Sequence, residues 1–167
     1  GLTIASLSDY YNLFEWRTPM LVKRLRVNAV TTYSGGGGTS SMYGRLYAVG
    51  ANARPTKLLY DFGTFVGVPI LSSTGIKATS ATGSGFYLQA GEYYLDIMPR
   101  LSGGAGTPSL STFPQGYNSG RLGYGTGIGV GIAIKATSGS TLAGDPANTT
   151  SLDLYSPNQL FFTLSTT

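Results

Sequence analysis

The sequence contains neither cysteine nor histidine, and each absence removes a class of chemistry. Without cysteine there is no thiol nucleophile and no disulfide staple, and the redox compartment leaves no mark on the chain. Without either residue, Cys/His zinc sites are excluded, and so is every nucleophilic triad that relies on a histidine base. Charge is scarce as well. Charged residues make up 11% of the chain, well under half of the usual ~25%. No apolar run approaches the ~18 residues of a membrane span, and none has the form of a signal peptide, so no membrane insertion is expected. A chain that opens GLTIAS, with no methionine, reads as a fragment or a processed product.

Glycine fills much of the space, at 25 of 167 residues, with serine, threonine and tyrosine around it. The length suits one domain with a sizeable core. Twelve tyrosines and seven phenylalanines need burial, so the composition fits short strands joined by turns and fits disorder poorly. The net charge is +4, and the basic residues are scattered except for Lys23, Arg24 and Arg26. That is a weak nucleic-acid footprint, and no nucleic-acid partner is expected.

Period two recurs along the chain, and period 3.6 hardly appears. In MLVKRLRVNAV (20–30), Leu21, Leu25, Val27 and Ala29 are expected on one face, with Arg24, Arg26 and Asn28 on the other. MYGRLYAVG (42–50) sets Met42, Gly44, Leu46 and Ala48 against Tyr43, Arg45, Tyr47 and Val49. KLLYDFGTFVGV (57–68) predicts a strand with a bend or bulge at its glycines. FYLQAGEYYLDIM (86–98) predicts two short strands about Ala90-Gly91, or one strand with a glycine bulge. LDLYSPNQLFFTL (152–164) is a strand, a proline break and a last apolar strand.

Only residues 6–17 could hold a helical turn, with Leu7, Tyr10, Tyr11 and Phe14 at i, i+3, i+4 and i+7. The expected fold is therefore all-β: an antiparallel, jelly-roll-like β-sandwich of about eight strands, with at most a short N-terminal helical turn. Residues 1–18 are expected to form a lead-in, and 19–167 a single sandwich domain.

GYGTGIGVGIAIK (123–135) asks whether a phosphate loop is present. Such loops space glycines as G-x-G-x-x-G or G-x-x-x-x-G-K-[ST] and open a helix. Here the spacing is two throughout, with Ile128, Val130, Ile132 and Ile134 in the alternate positions. The stretch reads as a strand with one β-branched face and one bare face, which lets another backbone or ring approach closely. No cofactor is expected.

Seven acids are available for acid–base work. Glu92 and Asp96 fall on one strand face, yet that is equally the solvent face of an antiparallel strand. Asp145 and Asp153 lack calcium-loop spacing. No catalytic residue and no metal site is assigned.

Aromatic, positively charged surface is the more promising feature. Tyr43, Arg45 and Tyr47 alternate on one strand. The loop TFPQGYNSGRLGY (112–124) combines Phe113, Gln115, Tyr117, Asn118, Arg121 and Tyr124. Sugars ask for this mixture: aromatic faces for the C–H side of the ring, and planar polar groups for vicinal hydroxyls. The same tyrosines could instead be core and interface residues of a sandwich.

Three segments together resemble a known family. A first strand opens with PMLVKRLRV. GRLYAVGANARPTKLLYDFGTF (44–65) is a strand, a proline-bearing turn and a strand reaching glycine. FYLQAGEYYLDI (86–97) carries L-x-A-G-x-Y-Y-L. They resemble the C-terminal β-sandwich (jelly-roll) domains of bacteriophage tail fibres and related virion proteins. The resemblance covers residues 19 to 100. Tyr94 stands where the pattern often has Trp, and the 101–120 loop has no counterpart.

The resemblance implies a non-enzymatic adhesion module on a virion that contacts a bacterial surface glycan. It also implies a homo-oligomer, with a trimer favoured, set among other virion proteins. The alternative it leaves open is a structural virion protein without receptor affinity: a capsid decoration, head fibre or fibre connector.

Overall fold

In the computed structural model the described residues are 2–5, 8–32, 39–50, 55–66, 72–81, 83–103, 106–113, 133–137, 152–156 and 159–167. Among them all regular structure is β. The strands are β1 (Leu2–Thr3), β2 (Ser8–Trp16), β3 (Met20–Val22), β4 (Arg24–Thr31), β5 (Thr39–Val49), β6 (Pro55–Thr64), β7 (Gly75–Ala78) and β8 (Phe86–Leu88). Then follow β9 (Gly91–Ser102), β10 (Ser109–Leu110), β11 (Thr112–Phe113), β12 (Ala133–Thr137), β13 (Leu152–Ser156), β14 (Gln159–Leu160) and β15 (Phe162–Ser165).

A six-stranded sheet runs β13-β12-β2-β9-β5-β6, and a five-stranded sheet runs β1-β10-β4-β15 with β7 also paired to β4. Two small pairs, β3-β8 and β11-β14, complete the arrangement. Every pairing is antiparallel. The fold is an antiparallel β-sandwich, as expected, although several strands are only two residues long.

Alternation builds the core between the sheets. On β4, Leu25, Val27 and Ala29 are buried while Arg24, Arg26 and Asn28 are half-buried on the other face. Opposing them from the six-stranded sheet are Tyr10, Phe14, Met42, Leu46, Phe62, Leu95 and Ile97. Each fully buried Leu, Ile or Phe contributes ~1.5–3 kcal/mol of transfer free energy. The sheets meet closely: the Phe14 and Phe162 rings stand 4.9 Å apart. A Cβ on Gly44 would collide with Leu25 Cδ2.

Three expectations are corrected. Residues 8–16 form no helical turn; they are the strand β2, interior to the six-stranded sheet between β12 and β9. Tyr10 is buried in the core with its hydroxyl accepting the Ala5 N–H at 2.7 Å, and Tyr11 is buried on the opposite face. With both faces covered, apolar residues stand side by side and period two is lost. The segment set apart as a lead-in thus supplies an interior strand.

Second, 20–30 is two strands. β3 ends at Val22 and Lys23 N–H donates to Ser165 O at 2.8 Å, so parity changes and Leu21 turns outward instead of sharing the Leu25 face. Third, the described residues hold fifteen strands where about eight were expected, because turns cut the long runs. The Ala90-Gly91 break does separate β8 from β9, which lie in different sheets. The bend foreseen near Gly63 is a bulge: Arg45 pairs with Asp61 and Gly44 with Gly63, leaving Phe62 as the extra residue. Of the glycine-faced stretch, Ala133–Thr137 is the strand β12 and pairs with β2 and β13; Gly123 to Ile132 lie outside the described residues.

Candidate functional site

β5 directs Met42 and Leu46 into the core, so Tyr43, Arg45 and Tyr47 take the other face, as alternation requires. That face is not open. Arg45 is 3% and Tyr47 2% exposed, and Tyr43 alone of the three is half-buried. Register explains the company they keep. One row across the sheet reads Tyr11, Asp96, Arg45 and Asp61, and the next reads Leu13, Tyr94, Tyr47 and Leu58. Tyr11, Leu13, Tyr47 and Tyr94 form a second apolar cluster, with Tyr11 edge-on to Tyr47 at 5.7 Å and to Tyr94 at 6.3 Å.

Into this layer are set Asp9, Asp96 and Arg45. Arg45 Nε lies 3.7 Å from Asp61 Oδ2. Burial works against the Arg45 cation, but its hydrogen bond to Tyr47 and the nearby Asp96 and Asp61 outweigh that and hold the guanidinium charged. Burial, then the charge of Asp9, pushes the Asp96 carboxyl well above the ordinary carboxylate range, against Arg45 and the Tyr10 backbone N–H. Burial and Asp96 push the Tyr11 phenol up, and the same two causes take Tyr47 to about 12. The expectation of Glu92 and Asp96 on a solvent face is corrected: Asp96 is 1% exposed, beneath a second buried layer. Such a network ties neighbouring strands together and keeps its own acids buried, whereas Glu15 and Glu92 pair across β2 and β9 nearer the surface.

The 112–124 candidates fall mostly elsewhere. Phe113 pairs with Gln159 through β11 and β14. Gln115, Tyr117, Asn118, Arg121 and Tyr124 lie outside the described residues.

A different surface emerges on the other sheet. The described acids, Asp9, Glu15, Asp61, Glu92, Asp96 and Asp153, all stand on strands of the six-stranded sheet. Among the described residues the five-stranded sheet carries Arg24, Arg26 and Lys77 and no acid. β7 pairs with β4 so that Arg26 faces Ala78 and Asn28 faces Ile76. Beyond β7 the chain stays in contact: Leu25 N–H donates to Thr79 Oγ1 at 3.1 Å, and Val66 N–H to Ala78 O at 2.8 Å.

This geometry leaves an open groove of about 620 Å³ lined by Arg24, Lys77, Ser80, Val66 and Ile76, among others. Its size is within the ~300–1,000 Å³ of small-ligand sites. Val66 and Ile76 are large apolar side chains that remain 59% and 63% exposed there. Sequence reasoning singled out Arg24 as part of the basic cluster but missed the groove, because β7 joins β4 across some fifty residues of chain.

Among the described residues no group of acids could hold a metal ion. No protein family, curated protein or solved structure matches the chain.

Proposed function

We propose that the chain is a non-catalytic, receptor-binding β-sandwich module of a bacteriophage tail fibre or similar virion appendage, and that it attaches to bacterial surface polysaccharide. The observation that carries this is the groove beside β7. It combines charged donors from Arg24 and Lys77, a hydroxyl from Ser80, and the exposed apolar surface of Val66 and Ile76. Donors for hydroxyl or acid groups next to a shelf for C–H faces are what a sugar ring asks of a surface.

Two further observations support the same reading. The family-like segments occupy strands of one sandwich: PMLVKRLRV on β3 and β4, and L-x-A-G-x-Y-Y-L across β8 and β9. Of the two acids weighed for catalysis, Glu92 and Asp96, the Asp96 carboxyl is buried in the sheet. In this reading the module works as a homo-oligomer, a trimer by the resemblance, on the virion.

The test is binding of labelled chain to intact host bacteria and to a glycan array. Saturable binding that disappears from cells stripped of surface polysaccharide is expected. Equal binding to stripped and intact cells removes the proposal.

A structural virion role draws on a separate observation. Leu21 and Tyr87 pair across β3 and β8 and are 37% and 57% exposed, an apolar spot that suits contact with a neighbouring virion protein. That role predicts tight association with particles and none with cells.

A further inference from the structure

We infer that the groove beside β7 takes the acidic sugar units of an anionic polysaccharide, units bearing a carboxylate, sulfate or phosphate. This rests on the glycan-binding reading above and names the class of glycan.

Charge is the first reason. Arg24 and Lys77 line the groove, Arg26 stands next along β4, and the sheet that presents them carries no acid among its described residues. The described acids belong to the opposite sheet, and the charged residues that line the groove, Arg24 and Lys77, are both cations. Such a face raises the local concentration of a polyanion and is unfavourable to nothing in a neutral chain.

The state of Arg24 is the second reason. Its Nε is buried and has no hydrogen-bond partner among the described residues. A half-buried arginine at a groove wall can meet an oxyanion with its terminal nitrogens through charge-assisted, often bidentate, hydrogen bonds. Lys77 donates from Nζ to Ser73 Oγ at 2.8 Å. Lys77 pairs with Val27, so it leaves the sheet on the opposite face from Arg24 and Arg26, and the two cations border the groove from opposite faces of the β4–β7 pair.

The third reason is what the groove lacks. Among the described residues its lining holds no aromatic ring, only the aliphatic surfaces of Val66, Ile76 and alanines. Sites for neutral sugars draw much of their affinity from rings stacked on Tyr or Trp faces. Here aliphatic contact accompanies charge, so the acid group supplies both the affinity and the discrimination. The groove is open, which suits an internal unit of a long chain.

The experiment is titration of the intact chain with a polyuronate oligosaccharide, a sulfated oligosaccharide, a neutral glucan oligosaccharide and single-stranded DNA of matched charge, at low and high salt. Binding of an acidic oligosaccharide that weakens with salt is expected, and it should fall about tenfold or more in Arg24→Gln/Lys77→Gln. Arg24→Lys retains part of the affinity, and Lys57→Gln, exposed on the other sheet, leaves it unchanged. Thermal melting of each variant establishes that the fold is intact.

Acidic binding that the double variant does not weaken overturns the inference, as does DNA binding as tight as that of the acidic sugars. A neutral glucan bound equally well overturns it and leaves the glycan-binding reading standing. Failure to bind any glycan or host cell overturns both.

Discussion

Asp96 is a residue whose chemistry the fold alters. Its carboxyl is buried beside Asp9, Tyr11 and Arg45, and its proton affinity is raised well above the ordinary range. The sign of the consequence is fixed by linkage. At a pH below the unfolded carboxylate value of ~3.9 the group is protonated in both states and adds no penalty. As pH rises from there through the raised folded value, the unfolded chain releases the proton first, and stability falls. Asp96→Asn should therefore flatten the decline: its Tm exceeds the parent's at neutral and alkaline pH, and the two converge near pH ~4. Melting curves across that range check this, and parallel profiles would contradict it. Asn12 makes a second residue-scale case. Its Oδ1 accepts the buried Leu160 N–H at 3.0 Å, tying β2 to β14. Asn12→Ala strands that donor and should cost about 2 kcal/mol, or roughly 4–8 °C in Tm for a chain of this size.

Strands, more than single residues, show what could be read in advance. β4 was legible because one of its faces is in the core and the other is not: Leu25, Val27 and Ala29 are buried, while Arg24, Arg26 and Asn28 are half-buried. β2 was illegible for the opposite reason. Tyr10 and Tyr11 are both buried, one on each face, and neighbouring aromatics imitate a helical stripe. Arg45 and Asp96 misled similarly, since a polar alternation normally marks a solvent face and here marks a second buried layer. The groove depends on β7 crossing to β4 and on Val66 closing over Ala78, pairings that no local spacing announces. Turn chemistry was clearer. Gly85 precedes β8 at φ 81°, and a Cβ there would lie 2.7 Å from Val22 O. Gly85→Ala should cost at least ~1–2 kcal/mol from backbone strain alone. Gly83, at φ 52° with open space around it, should tolerate alanine better. Denaturant unfolding of the two variants separates collision from strain, and equal losses would show that contact at Val22 adds nothing.

At the scale of the whole molecule the sandwich is polarised. One sheet holds the described acids together with Arg45, Lys57, Arg100 and Lys135, and buries Asp9, Asp96 and Arg45; the other holds Arg24, Arg26 and Lys77 beside an open groove, with no acid among its described residues. In a chain with so little charge, a sheet with cations and no described acid is the face to which a polyanion is drawn in this account. An appendage that must find a charged surface and hold it has use for that arrangement. Binding of the labelled chain to host bacteria, with and without their surface polysaccharide, is the most direct test of this account. It predicts saturable attachment to intact cells that is lost with the polysaccharide; attachment that persists on stripped cells, or is absent from both, would contradict it.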